Sequence, residues 1–256
     1  MKEKKTIYYS NELEDEFSKA KIKTKLIDEK YNYLRKEKLW GIKHFFWYRL
    51  VATPMAYLYC KLKFRYKIIN KHKLRNIKTG FFLYGNHTQD ISDACMPSLA
   101  CIPNDVYVIV HPNNVSMPVL GKVTPYLGAL PLPSNIASTK NFLEAVETRI
   151  KENCCVMIYP EAHIWPYYTK IRPFLDNSFK YPIKYDVPCF CMTTTYQSKR
   201  HKPVITVYID GPFYSNKDLS LKEQQVDLRN QIYNTMVMRS KNSTFEYIKY
   251  VKEDNK

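Results

Sequence analysis

The sequence predicts an α/β fold in which a largely parallel central sheet is covered by helices on both faces. Short apolar runs recur between residues 80 and 211, and they are nearly continuous rather than alternating, as is typical of strands buried on both faces. Segments with helical spacing of apolar residues separate several of these runs, which favours parallel crossover connections. With 256 residues, 45% of them hydrophobic, the chain is long enough to bury a full core.

Five strands and two long helices account for this region. The predicted strands are GFFLYGNH (80–87), DVYVIVH (105–111), CCVMIYPEA (154–162), VPCFCMTTTY (187–196) and PVITVYIDG (203–211). The predicted helices are TKNFLEAVETRIKEN (139–153) and LSLKEQQVDLRNQIYNTMVMRS (219–240). Phe142, Val146 and Ile150 fall on one face of the first helix. Ser220 is the predicted cap of the second, because Glu223 follows it in the capping-box position.

A helical amino-terminal arm, residues 1–64, is predicted ahead of an α/β domain that spans residues 65–256. Residues 11–39 are charged and poor in Gly and Pro, and their apolar side chains recur at rough helical spacing. Ser10 or Asn11 would cap this helix, and the acidic residues that follow suit its positive end. We expect one face of the helix to pack on the domain.

Residues 39–64, LWGIKHFFWYRLVATPMAYLYCKLKF, mix aromatic side chains with basic ones. Pro54 is expected to kink or split a helix here. The apolar run is interrupted by Arg49 and is shorter than the roughly 20 residues that span a bilayer. Aromatic rings and cations at this density suit the headgroup layer. We favour a membrane-interface segment over an aromatic core helix, because the basic residues punctuate the apolar stripe rather than lie opposite it.

The chain is strongly basic, with 40 Lys and Arg against 24 Asp and Glu and a formal net charge of +16. Such a charge attracts polyanions, so anionic membrane and nucleic acid are the candidate partners. No nucleic-acid-binding motif is recognised in the sequence. An anionic membrane surface is therefore the expected partner, and no nucleic acid is expected.

Cysteine usage indicates a reducing compartment. The seven cysteines are odd in number, and their spacing matches neither a disulfide framework nor a metal site. The first residues also lack the apolar run of a secretory signal. These features predict a cytoplasmic protein with core cysteines and without metal ligands. The cysteines are Cys60, Cys95, Cys101, Cys154, Cys155, Cys189 and Cys191.

Two polar clusters follow predicted strands, GNHTQDISD after the first and YPEAHIWPYYTKIRPF after the third. Ligands of parallel sheets bind in the loops beyond the carboxyl ends of the strands, so both clusters belong to the expected site. His87 can take a proton from a hydroxyl, and a carboxylate on its other nitrogen would fix its tautomer. Asp90 and Asp93 are both candidates for that carboxylate. A hydrogen-bonded structural histidine is the alternative for His87, and Glu161 either grips a polar substrate or positions a loop.

The order of the segments resembles the glycerolipid acyltransferase family. In that family Asn-His-x4-Asp follows the first core strand, then come a Gly-containing block, a Phe-Pro-Glu-Gly-Thr-Arg block and a strand that starts near Val-Pro. The corresponding residues are Asn86-His87, Gly128-Ala129-Leu130-Pro131, Tyr159-Pro160-Glu161 and Val187-Pro188-Cys189. The resemblance covers roughly residues 65 to 212, and four blocks in sequence are fairly specific.

The resemblance implies a direct acyl transfer without a metal, an acyl-enzyme or a cofactor besides the acyl donor. His87 would deprotonate a hydroxyl of a lysophospholipid-type acceptor, which attacks the thioester of acyl-CoA or acyl-carrier protein. The family's Asp stands five residues after its His, where this chain has Ser92. We therefore infer a one-residue insertion and choose Asp93 as the partner of His87, with Asp90 as the alternate. The expected location is the cytoplasmic face of the cell membrane, as a peripheral or monotopic protein.

The acceptor-binding blocks depart from the family pattern. The Arg that usually ends the second block falls at Pro133 or Ser134, and Gly-Thr-Arg is replaced by Ala162-His163-Ile164. Lysophosphatidate as the acceptor is thus in question. The predicted substrate contacts are Asn86, Glu161, His163 and Arg172, with Lys170 and Lys140 as further candidates to replace the missing Arg.

Two other function classes stay open at this point. A non-catalytic basic protein that binds lipid or nucleic acid would account for the charge and the altered blocks. A hydrolase would use Cys95 or a serine with His87, although no G-x-S-x-G elbow occurs.

Overall fold

The computed structural model describes residues 5–17, 23–35, 37–75, 77–200 and 202–253. The strands within them are β1 (Lys5–Tyr9), β2 (Lys67–Ile69), β3 (Phe81–Gly85), β4 (Val106–Val110), β5 (Ala129–Pro131), β6 (Cys155–Ile158), β7 (Cys189–Lys199), β8 (Lys202–Phe213) and β9 (Ile248–Lys252). A seven-stranded sheet has the order β2-β8-β7-β3-β6-β4-β5, and a separate two-stranded sheet pairs β1 with β9. Every neighbouring pair is parallel except the antiparallel hairpin of β7 and β8.

Helices cover both faces of the large sheet, as predicted. They are α1 (Trp40–Phe45), α2 (Thr53–Phe64), α3 (Ser92–Cys101), α4 (Asn113–Ser116), α5 (Leu120–Val123), α6 (Ile136–Lys151), α7 (Lys180–Tyr185) and α8 (Leu221–Ser240), with a π-helix at Phe46–Ala52 between α1 and α2. Successive side chains of β3 enter different cores. Phe82 and Tyr84 pack in the core that contains residues of α6 and α8, whereas Phe81 and Leu83 pack in the core of α2 and α3. This two-sided burial explains the unbroken apolar run.

The predicted strands and both long helices are confirmed, with ends that shift by a few residues. Ser220 caps α8 in a capping box with Glu223, as expected, and Asn135 with Ser138 forms a second capping box at the start of α6. The three-residue strands β2 and β5 were not predicted. They are too short for a periodic signal and lie at the two edges of the sheet.

The helix predicted over residues 11–39 is wrong for the residues that the structure describes there; residues 18–22 and 36 lie outside them. The backbone instead bonds to the domain. Ile27 N donates to the Ser134 hydroxyl at 2.9 Å, and Ser134 N donates to the Ile27 carbonyl at 3.0 Å. The expected cap is also different, because the Asp15 carboxylate accepts from the backbone of Ser10 and Asn11 in a turn. Tertiary hydrogen bonds have overridden a weak helical pattern.

Residues 40–64 do form helix, continuous through the π-helical turn. Pro54 lies in the first turn of α2, directly after the π-helix, and the helix is not split there. Two side chains of this helical segment are tied to Asp105. Arg49 pairs with one carboxylate oxygen at 2.5 Å, and the His44 ring lies 3.2 Å from the other. The segment is therefore fastened to the domain along one side.

Gly128, the glycine of the second sequence block, is predicted to tolerate no side chain. Its φ of +86° disfavours L-residues, and an added Cβ would clash with the Val106 carbonyl oxygen. We expect Gly128→Ala to lower the free energy of unfolding by about 3 kcal/mol, which is roughly 6–12 °C in Tm for a domain of this size. Thermal unfolding followed by circular dichroism measures the shift.

The matched control is Gly41→Ala in α1, where a Cβ would meet no atom within 4 Å. This control should be neutral or slightly stabilising, because Ala favours helix over Gly. Equal melting temperatures for the Gly128 and Gly41 variants would contradict the assigned backbone geometry.

Candidate active site

The loop after β3 brings His87 and Asp93 into direct contact. Nδ1 of His87 lies 2.9 Å from Oδ2 of Asp93. The same oxygen accepts backbone N–H bonds from Thr88 at 2.8 Å and Gln89 at 2.9 Å. Because Nδ1 faces a carboxylate, it holds the proton, and Nε2 is left as the basic nitrogen of the neutral ring. The Asp93 side chain is 3% exposed and the His87 side chain 19%, so the ring is the part of the pair that reaches outward.

Asp90, the alternate partner, is placed elsewhere. It is exposed on the loop, and among the described contacts its carboxylate makes no hydrogen bond with His87. Asp93 is positioned by α3, whose first turn contains it. Of the two candidate carboxylates, the structure brings Asp93 and not Asp90 into contact with the His87 ring.

Tyr159 completes the support of the histidine ring, a role that the sequence did not reveal. Its ring stacks on the His87 imidazole, with centroids 4.5 Å apart and planes at 20°. Its hydroxyl donates to the backbone carbonyl of Asp93 at 2.6 Å. Burial, followed by the charge of Asp93, raises the pKa of Tyr159 well above its ordinary value, so the hydroxyl remains a donor. The one available signal was its position directly before Pro160-Glu161.

Glu161 lies behind the histidine and fixes the backbone around it. Its Oε2 accepts the His87 backbone N–H at 3.0 Å, and its Oε1 accepts the Arg172 backbone N–H at 3.1 Å. The Arg172 guanidinium lies 3.3 Å from Oε2, and both side chains are fully buried. Burial raises the pKa of Glu161, and the positive charge of Arg172 opposes this rise. Of the two roles that the sequence allowed for Glu161, the geometry supports positioning a loop.

Asn86 is equally internal. Its amide donates to the Thr194 carbonyl at 3.0 Å and accepts from the Thr194 N–H at 2.8 Å, which joins the loop to β7. Direct substrate contact by Asn86, Glu161 and Arg172, as the sequence suggested, does not fit these positions. Their side chains are buried, and each hydrogen-bonds to groups of the protein.

The remaining predicted substrate contacts lie nearer the surface. His163 has a 34% exposed side chain, and its Nδ1 lies 3.9 Å from the Glu16 carboxylate. Lys140 and Lys170 are exposed. The structure does not bring these side chains into contact with His87 among the described hydrogen bonds and ion pairs.

A largely apolar cavity of about 180 Å³ is lined by residues of the helical segment 40–64, of α3 and of β4, and neither His87 nor Asp93 lines it. Ala94 and Cys95, which follow Asp93 on α3, contribute to its wall. Burial, followed by the charge of Asp93, raises the pKa of the Cys95 thiol, which disfavours the thiolate that a hydrolytic nucleophile would need. The other lining residues are Tyr48, Ala52, Thr53, Ala56, Ser98, Val106, Val108, Val110, Asn114, Thr124, Leu127 and Ala129.

Outside the pocket, the helical segment of residues 40–64 exposes many large apolar side chains. We call this set the apolar helix face; its members are 48% to 78% exposed. Lys43, Lys61 and Lys63 are exposed on the same segment. Within the described ranges, no helix has the combined length and apolar composition needed to cross a bilayer. The members of the face are Ile42, Phe45, Phe46, Leu50, Met55, Leu58 and Leu62.

The described part of the chain contains no group of three His, Cys, Asp or Glu side chains arranged to hold a metal ion. Its cysteines are free, and all but Cys95 are buried.

The Acyltransferase family model matches residues 65–195, about half of the chain, and the chain therefore belongs to the Acyltransferase family. The resemblance inferred from the four sequence blocks is thus confirmed, and the protein is an acyltransferase. The chain is also similar to the solved structure of the 1-acyl-sn-glycerophosphate (LPA) acyltransferase PlsC from Thermotoga maritima. That match has a TM-score of 0.55 and 14% sequence identity, and it covers 83% of this chain and 86% of PlsC. A comparison with curated proteins gives no significant match.

Proposed function

We propose that this enzyme transfers a fatty acyl group from acyl-CoA or acyl-carrier protein to a hydroxyl of a lysophospholipid or related glycerolipid. The observation that carries the proposal is the hydrogen bond between His87 and Asp93. Ala94 and Cys95, the next two residues of the chain, line an apolar cavity. Family membership supports acyl transfer, and the likeness to PlsC, an enzyme named for a glycerophosphate acceptor, supports the choice of acceptor class.

His87 acts as the general base. Nε2 takes the proton of the acceptor hydroxyl while the oxygen attacks the thioester carbonyl, and the Asp93 carboxylate stabilises the imidazolium that forms. Collapse of the tetrahedral intermediate breaks the carbon–sulfur bond. The departing thiolate recovers the proton from the imidazolium, so that the products are an ester and a free thiol. His87 and Asp93 thereby return to their starting protonation states at the end of the cycle.

The cavity accepts the acyl chain of the donor. Alanine and valine side chains make up half of its lining residues, and apolar surface transferred into it contributes about 25 cal/mol per Å². β5 lies three strands away from β3 in the sheet, so Ala129 of β5 faces the part of the cavity remote from His87. The reacting thioester then lies near Ala94, and the methyl end of the chain points towards Ala129.

The apolar helix face binds the interfacial layer of an anionic membrane. Its exposed rings and aliphatic side chains enter the acyl boundary, while Lys43, Lys61 and Lys63 meet the headgroups. The net charge of +16 adds attraction at longer range. In this arrangement the enzyme works at the cytoplasmic face of the membrane, where lysophospholipid acceptors reside. The reaction requires no cofactor besides the acyl donor, and no nucleic acid partner.

Removing the base or its carboxylate should abolish turnover without unfolding the protein. We expect His87→Ala and Asp93→Asn each to lower kcat/KM by at least about a hundredfold, because the ring loses its proton-accepting role or its tautomer. Asp90→Asn is the matched control and should retain wild-type activity. Release of free thiol from acyl-CoA, measured with a panel of lysolipid acceptors, checks this. Wild-type turnover in the His87 variant would leave a non-catalytic binding protein as the better explanation of the chain.

Ala129→Leu should shorten the preferred acyl chain. The added carbons fill the far end of the cavity, and each excluded methylene forfeits about 0.8 kcal/mol, or about fourfold in kcat/KM. The chain-length profile should move to shorter thioesters, with short-chain activity retained. Ala137→Leu, an exposed position on α6, is the control and should leave the profile unchanged. An unaltered profile in the Ala129 variant would place the acyl chain elsewhere.

Phe46→Glu should weaken membrane binding by about tenfold, since it loses apolar burial and adds a charge that anionic lipid repels. Co-sedimentation with vesicles containing phosphatidylglycerol, at two salt concentrations, measures the effect. Ile136→Glu serves as the control, because Ile136 is 93% exposed but lies outside the apolar helix face. Similar losses in both variants would show that bulk charge, rather than this face, controls binding.

A further inference from the structure

The two ends of the described chain form a small parallel sheet of their own. β1 pairs with β9 in the register Ile7–Tyr250, and Glu253 N adds a bond to the Tyr9 carbonyl at 2.8 Å. The sheet is separate from the seven-stranded one. Its packing partner is the loop that follows β6, which contains Glu161 and Trp165.

Trp165 is the point at which both chain ends meet this loop. The indole is fully buried, stacked on Tyr250 at 5.2 Å and 9°, and in edge contact with Tyr9 at 4.8 Å and Phe17 at 5.2 Å. Its Nε1–H donates to the Asp15 carbonyl at 2.8 Å. The ring is thus enclosed by residues that lie far from it in sequence.

The amino-terminal segment also supplies a bond to the buried cation of the loop. Arg172 donates to the Glu12 carbonyl at 3.3 Å, and its guanidinium lies over the Trp165 ring at 4.9 Å. It further donates to the His163 carbonyl and to Glu161. Without residues 12–15, this guanidinium would lose a carbonyl acceptor and its cover from solvent.

These contacts lead directly to the catalytic histidine. The Trp165 backbone N–H donates to the His87 carbonyl at 3.1 Å, and the Glu161 carboxylate accepts the His87 backbone N–H at 3.0 Å. Both backbone polar groups of His87 are therefore held by the loop that the chain ends cover.

We propose that the paired chain ends act as a clamp on the active site, in which Trp165 and Arg172 are positioning residues that set the orientation of His87. The clamp stays closed during turnover. The proposal deepens the proposed function and rests on it for the role of His87 as the base.

The charge of Arg172 within the clamp affects the pKa of Glu161, so the clamp can be tested through the pH dependence of kcat. The groups that face Glu161 are Arg172 and His87, with Tyr168 and, beyond it, Glu12 of the amino-terminal segment. Arg172 keeps the pKa of the buried Glu161 carboxyl from rising further. A neutral residue at position 172 would let that pKa rise, and protonated Glu161 would accept the His87 N–H more weakly.

The first test compares Arg172→Gln with Arg172→Lys. We expect Arg172→Gln to lower kcat at least tenfold with little change in KM, and to move the acidic limb of the kcat–pH profile to higher pH. Arg172→Lys should restore part of the rate and the wild-type limb. A uniform loss of rate in both variants, without a shift of the limb, would assign Arg172 a merely structural role and overturn the proposal.

The second test locks the clamp with a disulfide crosslink between β1 and β9. Thr6 and Lys249 are exposed partners in the β1–β9 register, so a Thr6→Cys/Lys249→Cys protein can be crosslinked by oxidation. The crosslinked enzyme should keep wild-type kcat, and dithiothreitol should leave it unchanged. Reversible inhibition on crosslinking would show that the chain ends must open, which contradicts a clamp that stays closed.

Trp165→Leu should lower kcat at least tenfold, whereas Tyr214→Leu, an exposed aromatic position, should not. The readout that is independent of turnover is the imidazole NMR signal of His87, assigned by its absence in His87→Gln. We expect this signal to shift or broaden in the Trp165 and Arg172 variants. An unchanged signal would overturn the clamp. If instead the wild-type enzyme acylates no acceptor, the proposed function fails while the NMR comparison still decides the clamp.

Discussion

Three hydrogen bonds to one atom, Oδ2 of Asp93, set the geometry on which the active site depends. Two of the donors are backbone N–H groups of Thr88 and Gln89, and the third is the His87 ring. Backbone donors cannot titrate or change rotamer, so they fix the carboxylate in space. The ring has one orientation left in which Nδ1 meets that oxygen, and Tyr159 stacks against it in that orientation. A short loop between β3 and α3 thus holds the imidazole of the proposed base in one orientation.

Behind this pair, a buried ion pair holds the histidine backbone. Removing Glu161 and Arg172 from water is costly, and their mutual attraction offsets the cost only with further hydrogen bonds. Those bonds come from three directions, namely the His87 N–H, the His163 carbonyl and the Glu12 carbonyl. The pair therefore contributes little net stability relative to an apolar replacement, but it specifies how the loops after β3 and β6 fit together. Loss of either partner alone would leave an uncompensated charge at the back of the site.

The sequence revealed the elements whose signals are local. β3 and β6 are continuous apolar runs, and α8 starts at a capping box, so each could be recognised from neighbouring residues. The amino-terminal segment could not, because its backbone bonds to residues more than a hundred positions away, as Ile27 does with Ser134. A helical pattern in the sequence says nothing about such competing partners.

In the site, too, residues close together in sequence were predictable, whereas roles that depend on tertiary contacts were not. His87 and its carboxylate were predictable because they lie only six residues apart, although spacing alone could not exclude Asp90. The roles of Glu161 and Arg172 depend on which groups surround them after folding. Both were expected to bind substrate, but both are buried and instead hold the backbone around His87. Trp165 and Tyr159 gave no chemical signal in the sequence, since an aromatic side chain beside a polar motif is equally consistent with core packing.

One helical segment serves both the proposed acyl site and the proposed membrane surface, and this links the two. Tyr48, Ala52 and Ala56 line the cavity, while Phe46 and Leu50 of the same segment face outward. The segment is fastened to the domain by Asp105, whose carboxylate pairs with Arg49 and His44 of this segment. An acyl chain in the cavity would thus be separated from the lipid by one helix diameter. Any tilt of this segment on the membrane would change the cavity wall, so in the proposed enzyme acyl-chain selection and membrane attachment depend on the same few contacts.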